Sequence, residues 1–122
     1  MSHGVIGVLI LLLVVPAATQ TREQAVLAAR EGRLEEGITA LRSLMATGDA
    51  SPETALDLAV VLSWAKRPQE ATDLFEQTNS LEAPEYVLLP ITRAYWDQRC
   101  YQDGARLARQ GQERFPNKPF GS

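Results

Sequence analysis

The spacing of small residues restricts the fold of this chain more than any other feature. Two series of small residues recur with separations of 34 and then 33 residues: Gly37, Ala71 and Gly104, and Ala25, Ala59 and Thr92. Small residues at such points let two helices approach closely. A repeat of this length predicts stacked helical units, each packed against its neighbours.

Apolar residues follow helical spacing after residue 18, and no strand pattern appears. Thr21 and Gln24 form a capping box that opens the first helix, and Ser51 with Pro52 opens the third. We predict six helices in an all-α fold: Thr21 to near Gly32, Leu34 to Met45, Ser51 to Lys66, Pro68 to about Thr78, Pro84 to about Gln98, and Tyr101 to Arg114. Their short connections make them antiparallel neighbours. Pro90 predicts a kink or a late start in the fifth helix.

The repeat resembles the tetratricopeptide family, whose 34-residue helix-turn-helix unit has the pattern W-x2-L-G-x2-Y, then A-x3-F, then P. The middle unit matches best, with Leu58, Leu62, Ala71 and Phe75 in pattern and Pro84 one residue late. The other units match in part and depart from the pattern at three positions: Asp49, Thr92 and Ala108. The resemblance implies a right-handed α-solenoid of about three units, residues 18–50, 51–83 and 84–117, with a tail at 118–122.

An unbroken apolar run from Val5 to Val15 predicts a secretory signal peptide over residues 1–17. Cleavage is expected after Ala17, with Ala18 as the next choice. The run is short of the roughly 20 apolar residues that span a bilayer. An uncleaved anchor and a buried first helix stay open as alternatives. We expect the mature protein in a bacterial periplasm or at the periplasmic face of the outer membrane.

Composition argues against several classes of function. The formal net charge of -3 gives no support for binding nucleic acid or an anionic membrane. The single histidine, His3, lies in the predicted signal peptide, so the mature chain lacks the usual histidine-based metal and nucleophile sites. We expect no catalytic residue, no cofactor and no metal. The single cysteine, Cys100, could crosslink two chains if exposed, or be a tolerated surface or half-buried thiol.

The first helix of each tetratricopeptide unit lines the concave face, so the resemblance places a set of candidate binding residues there. These residues have aromatic or charged side chains: Arg30, Trp64, Tyr86, Arg93, Trp96 and Asp97. Tryptophan, tyrosine and arginine dominate binding at protein interfaces, which favours a protein partner. One alternative is a carbohydrate stacked on Trp64 and Trp96. Another is that both indoles pack within the chain and fill the groove.

Two segments carry a narrower resemblance. "LSWAKRPQEA", residues 62–71, and "AYWDQRCYQDG", residues 94–104, are similar to the periplasmic amino-terminal repeats of bacterial exopolysaccharide exporters of the poly-N-acetylglucosamine type. That implies an interaction scaffold for a polysaccharide-modifying enzyme or the polymer; a general periplasmic assembly factor is the alternative. No polar capping helix follows the last repeat, so we expect the last helix to leave an apolar edge exposed. We therefore expect the chain to be a fragment, a truncated gene product, or a protein completed by a partner.

Overall fold

The computed structural model describes residues 20–78 and 82–118, which form six helices. In chain order these are α1 (Arg22–Arg30), α2 (Leu34–Ala46), α3 (Pro52–Trp64), α4 (Pro68–Gln77), α5 (Glu85–Asp97) and α6 (Tyr101–Arg114). No strand occurs in the two described ranges, so the predicted all-α class is confirmed. The predicted boundaries agree with the observed ones to within two residues.

Side-chain caps fix the starts of α1 and α3. The backbone N–H of Gln24 donates to Thr21 Oγ1 at 3.2 Å, and the N–H of Thr21 donates to Gln24 Oε1 at 2.9 Å. The N–H of Thr54 donates to Ser51 Oγ at 3.3 Å, and Pro52 occupies the first turn of α3. Each such cap stabilises a helix by about 1 kcal/mol. The capping signals predicted from the sequence are confirmed at both helices.

The turns that join α1 to α2, α3 to α4 and α5 to α6 close in the same way. Each places one residue in the left-handed region, with φ of 95° at Gly32, 62° at Lys66 and 63° at Arg99. The next N–H donates to a carbonyl five residues back, at 2.9–3.0 Å: Arg33 to Ala28, Arg67 to Leu62, and Cys100 to Tyr95. This is the Schellman closure of a helix end. The turn geometry therefore recurs at separations of 34 and 33 residues.

Helix α3 lies at the centre of the core, because it contacts α1, α2, α4 and α5. Nine consecutive residues of α3, 54–62, are buried. A helix that is apolar around most of its circumference requires such cover on all sides. The remaining contacts join α1 to α2, α4 to α5 and α5 to α6, so each helix pair packs on the next.

Two of the small residues that mark the repeat occupy space that a larger residue would need. A Cβ on Gly37 would lie 2.9 Å from the carbonyl oxygen of Ala25 and 3.0 Å from Cβ of Ala29. The expected close approach of α1 and α2 is therefore confirmed. A Cβ on Gly104 would overlap the indole nitrogen of Trp96, so there the space holds a side chain rather than a neighbouring backbone.

Pro90 lies within α5, which begins five residues earlier at Glu85, so the predicted late start is wrong. The proline cannot donate to the Tyr86 carbonyl, but only one backbone bond is lost. Burial of Val87 in the first turn of α5 helps to offset that loss. Ser63 Oγ on α3 donates to the Pro90 carbonyl at 3.0 Å and links the two helices. A kink at Pro90 stays a prediction.

The outer face of α6 is polar, so the expected apolar edge is wrong. Its buried residues lie on one side: Gly104, Leu107, Ala108 and Gly111. Its exposed residues are polar apart from Tyr101: Gln102, Arg106, Arg109, Gln112, Glu113 and Arg114. Helix α6 thereby packs its buried side on α5 and presents polar side chains outward.

Residues 1–17, predicted as a signal peptide, and residues 119–122 of the predicted tail lie outside the described residues. Among the helices of the described part, none has the length and apolar character needed to cross a bilayer. Export and cleavage therefore stay predictions from the sequence. Cys100 is a free thiol immediately before α6 and is half-buried against the core, which matches the second of the two alternatives for it.

Candidate interaction groove

Exposed apolar side chains concentrate in one groove formed by α1, α3 and α5. Four large hydrophobic residues are exposed in the described part of the chain, and three of them line this groove: Leu27 at 55%, Trp64 at 37% and Tyr86 at 47%. The apolar lining is completed by three valines: Val26, Val60 and Val61. The cavity volume is about 500 Å³. The fourth exposed residue, Tyr101, begins α6 and lies outside the groove. Apolar groups exposed together mark binding surfaces more often than isolated ones do.

A buried carboxylate, Asp57 of α3, organises the polar wall of the groove. Its Oδ1 accepts a hydrogen bond from the Tyr86 hydroxyl at 2.5 Å, and its Oδ2 accepts one from the Arg22 guanidinium at 3.2 Å. Asp57 is only 7% exposed, so its charge requires these partners. Since Arg22 belongs to α1 and Tyr86 to α5, one side chain connects three successive helix pairs.

The surroundings of Tyr86 and Arg22 raise the pKa of both side chains. Burial and the hydrogen bond to Asp57 raise the pKa of Tyr86 to about 12. Partial burial lowers the pKa of Arg22, but the nearby carboxylates of Asp57 and Glu23 more than offset this and leave it above its ordinary value. At neutral pH, Tyr86 is therefore a hydroxyl donor and Arg22 a cation, and both hold the Asp57 carboxylate.

A smaller cavity of about 220 Å³ adjoins the groove and shares Trp64 with it. Its charged lining consists of Lys66, Arg93 and Asp97, all of which are exposed. Trp64 is the last residue of α3, two positions beyond the buried run of residues 54–62, so its ring emerges where the core ends. One exposed indole therefore borders both cavities.

Trp96 has a different setting from Trp64. Its indole nitrogen lies against Gly104 of α6, and its side chain is half-buried. The rest of the residue lines the smaller cavity. Part of this indole is thus covered by its own chain, whereas Trp64 stays open to a ligand.

The structure distributes the six predicted residues between two adjoining cavities. The larger is lined by Arg30, Trp64 and Tyr86, and the smaller by Trp64, Arg93, Trp96 and Asp97. Sequence reasoning missed Leu27 and Asp57. Asp57 had a signal, since it is the one charged residue in the stretch "TALDLAVVL", residues 54–62. Leu27 had none, because an exposed leucine on a helix is ordinary.

No group of three or more metal-ligating side chains occurs in residues 20–78 and 82–118. Comparison with known proteins returned nothing: no family model, no curated protein and no solved structure matches the chain. Function must therefore be argued from the groove itself, whose exposed groups offer apolar contact and charge.

Proposed function

We propose that the chain is a right-handed solenoid of three tetratricopeptide-like units that acts as a non-catalytic scaffold for a protein partner. The equivalent turn closures at Gly32, Lys66 and Arg99 support the repeat. The packing of each helix pair on the next supports a solenoid. Helices α1, α3 and α5, the first of each pair, line the groove together, as the concave face of a repeat array would.

The observation that carries this proposal is the clustering of Leu27, Trp64 and Tyr86 in one groove. Fully burying a large apolar side chain contributes about 1.5–3 kcal/mol. Covering these three partly exposed side chains with a partner would therefore stabilise the complex. Tryptophan and tyrosine are also the residue types that most often dominate interface energetics. A protein segment with apolar side chains fits this surface.

We further propose that the scaffold is exported and serves an exopolysaccharide export machine. The apolar run of residues 5–15 supports export. The similarity of residues 62–71 and 94–104 to the amino-terminal repeats of the poly-β-1,6-N-acetyl-D-glucosamine export porin supports the setting. A periplasmic polysaccharide-modifying enzyme is the partner that this resemblance favours.

A glycan-binding function has less support from the groove. Stacking of sugars on both tryptophans would need two open rings, and Trp96 is partly covered at Gly104. The carboxylates that line the larger cavity are engaged within the chain: both oxygens of Asp57 accept hydrogen bonds, and Glu23 pairs with Arg22. Asp97 is the carboxylate that lines the smaller cavity, and it is exposed.

Site-specific photo-crosslinking tests the proposed function. A photoreactive phenylalanine derivative replaces Trp64 in one variant and Tyr101 in the other, and both are irradiated in living cells. Tyr101 is the matched control, since it is 61% exposed and lies outside the groove. We expect a discrete adduct with an envelope protein from position 64 and none from position 101. Mass spectrometry of the adduct identifies the partner.

Three results would argue against parts of the proposal. Equal adducts from both positions would show that the groove is not the binding surface. Crosslinking to a cytosolic protein would contradict the proposed export of the chain. Retained partner capture by Trp64→Ala, at the level of Tyr101→Ala, would show that the exposed indole contributes nothing to binding.

A further inference from the structure

Three cations around Trp64 make no ion pair with any residue that the structure describes. Arg30 lines the groove, Lys66 and Arg93 line the smaller cavity, and none of the three makes an ion pair within the described residues. On other surfaces of the molecule, four arginines pair with nearby carboxylates: Arg33, Arg42, Arg67 and Arg106. Arg99 and Arg109 make no ion pair with the described residues, but they line neither cavity. The three cations around Trp64 are thus grouped beside one exposed indole without an ion pair to a described carboxylate.

The described carboxylates that line the two cavities form no ion pair with Arg30, Lys66 or Arg93. Glu23 and Asp57 both pair with Arg22, which leaves Asp97 as the one lining carboxylate without an ion pair in the described residues. The linings of the two cavities hold four cations (Arg22, Arg30, Lys66 and Arg93) and three carboxylates (Glu23, Asp57 and Asp97), a net excess of one positive charge, whereas the chain as a whole carries a formal charge of -3. Charge of one sign along a groove selects partners of the opposite sign.

We propose that the groove binds an acidic protein segment that places a bulky apolar side chain on Trp64 and carboxylates on either side of it. The apolar anchor would lie on the exposed faces of Leu27 and Trp64 in the larger cavity. Carboxylates at one end would pair with Arg30, and those at the other end with Lys66 and Arg93. This inference rests on the proposed function, since it specifies the chemistry of the same partner surface.

The arrangement disfavours a cationic occupant. A basic segment or a deacetylated amino-sugar polymer would bring more positive charge to Arg30, Lys66 and Arg93. Among the described carboxylates that line the two cavities, Asp97 alone would be without an ion pair to meet it. A neutral segment would gain the apolar contacts but leave the three cations without counter-charges. An acidic segment with an apolar anchor satisfies both features of the surface.

Three labelled synthetic peptides of one length test the inference by fluorescence anisotropy against the full chain as its host produces it. All three carry the same central phenylalanine; the flanking residues are aspartate and glutamate, or asparagine and glutamine, or lysine. We expect the acidic peptide to bind about tenfold more tightly than the amide peptide, as a few exposed ion pairs allow. Added salt should reduce that preference.

Two double variants with the same change of charge locate the effect. Arg30→Gln with Arg93→Gln should remove most of the preference for the acidic peptide and leave the part that Lys66 supplies. Arg99→Gln with Arg109→Gln should retain it, because these two cations also lack ion pairs in the described part but line neither cavity. Helical circular dichroism of both variants establishes that they fold equally.

Tighter or equal binding of the amide or lysine peptide overturns the inference and leaves the proposed scaffold function standing. So does an equal loss of preference in the two double variants. Binding of an N-acetylglucosamine oligomer in the absence of acidic-peptide binding also overturns it. If no peptide binds, the inference fails, and crosslinking from position 64 decides the proposed function separately.

Discussion

Replacing Asp57 with alanine removes the acceptor that Tyr86 and Arg22 share, and the structure sets the size of the effect. Hydrogen bonds to a charged group contribute about 1.5–3 kcal/mol each. The Arg22 side chain is 32% exposed, so water can replace much of its partner, and that pair is worth at most about 1 kcal/mol. We expect Asp57→Ala to lower the free energy of unfolding by about 2–3 kcal/mol.

A double-mutant cycle separates the two bonds. Tyr86→Phe removes only the hydroxyl. The free energy of unfolding lost by the double variant with Asp57→Ala should therefore be smaller than the sum of the two single losses by about 1 kcal/mol. The equivalent cycle with Arg22→Gln should show a coupling below about 0.5 kcal/mol, because this pair is nearer to solvent. Urea unfolding followed by helical circular dichroism measures each value, under the two-state behaviour typical of small domains.

High pH provides an independent measurement of the same hydrogen bond. The pKa of Tyr86 rises from 10.0 to about 12 on folding. A raised pKa means that folding favours the protonated hydroxyl, so its contribution is complete below pH 10 and is lost as pH rises towards 12. Between pH 10 and pH 12, the free energy of unfolding of Tyr86→Phe should fall less than that of the unchanged protein, because the variant lacks this titrating hydroxyl. Burial and a hydrogen bond to Glu76 also raise the pKa of Tyr95. The titration of Tyr95 accounts for the dependence of stability on pH that Tyr86→Phe retains.

The control is Asp73→Ala on α4, since this exposed carboxylate has no ion pair in the described residues. It should change the free energy of unfolding by less than about 0.5 kcal/mol. If Asp57→Ala proves equally mild, the buried carboxylate does not connect the helix pairs. A titration of tyrosinate absorbance that is unchanged by Asp57→Ala would refute the hydrogen bond itself.

Three substitutions test the packing by urea unfolding. Arg99→Gly should raise the free energy of unfolding by about 1 kcal/mol, because glycine tolerates the φ of 63°; a loss would contradict this. Gly37→Ala should lower it by about 1 kcal/mol, because contact with the Ala25 carbonyl outweighs the gain in helix propensity; a gain would contradict it. Thr92→Val should raise it by about 1 kcal/mol, because the buried Oγ1 has no hydrogen-bond partner in the described residues; unchanged stability would contradict that.

The helices were predictable because their signals are local. Thr21 and Gln24, three positions apart, cap the start of α1, and Ser51 with Pro52 marks the start of α3. Apolar spacing predicted the extent of the helices. The turn residues were less visible, since Lys66 and Arg99 adopt a left-handed φ where Gly32 does in the first turn.

The groove was predictable only in part, because its geometry depends on contacts between distant residues. The bonds of Asp57 reach Arg22 and Tyr86 across 35 and 29 positions of sequence. The contact of Trp96 with Gly104 joins two helices across a turn. Helical spacing and the geometry implied by the tetratricopeptide resemblance had predicted both tryptophans on one concave face. Periodicity assigns residues to faces, but it does not say which neighbour covers a side chain.

The position of Trp64 joins the core to the proposed binding surface. Helix α3 is enclosed on four sides by other helices, so its end cannot move without disturbing the packing of residues 54–62. Asp57 holds α1 and α5 to this same helix from within the groove wall. Trp64 therefore emerges from a rigid element, and binding a partner there would require little ordering of the scaffold. The stability of α3 and the affinity of the groove should depend on the same packed residues.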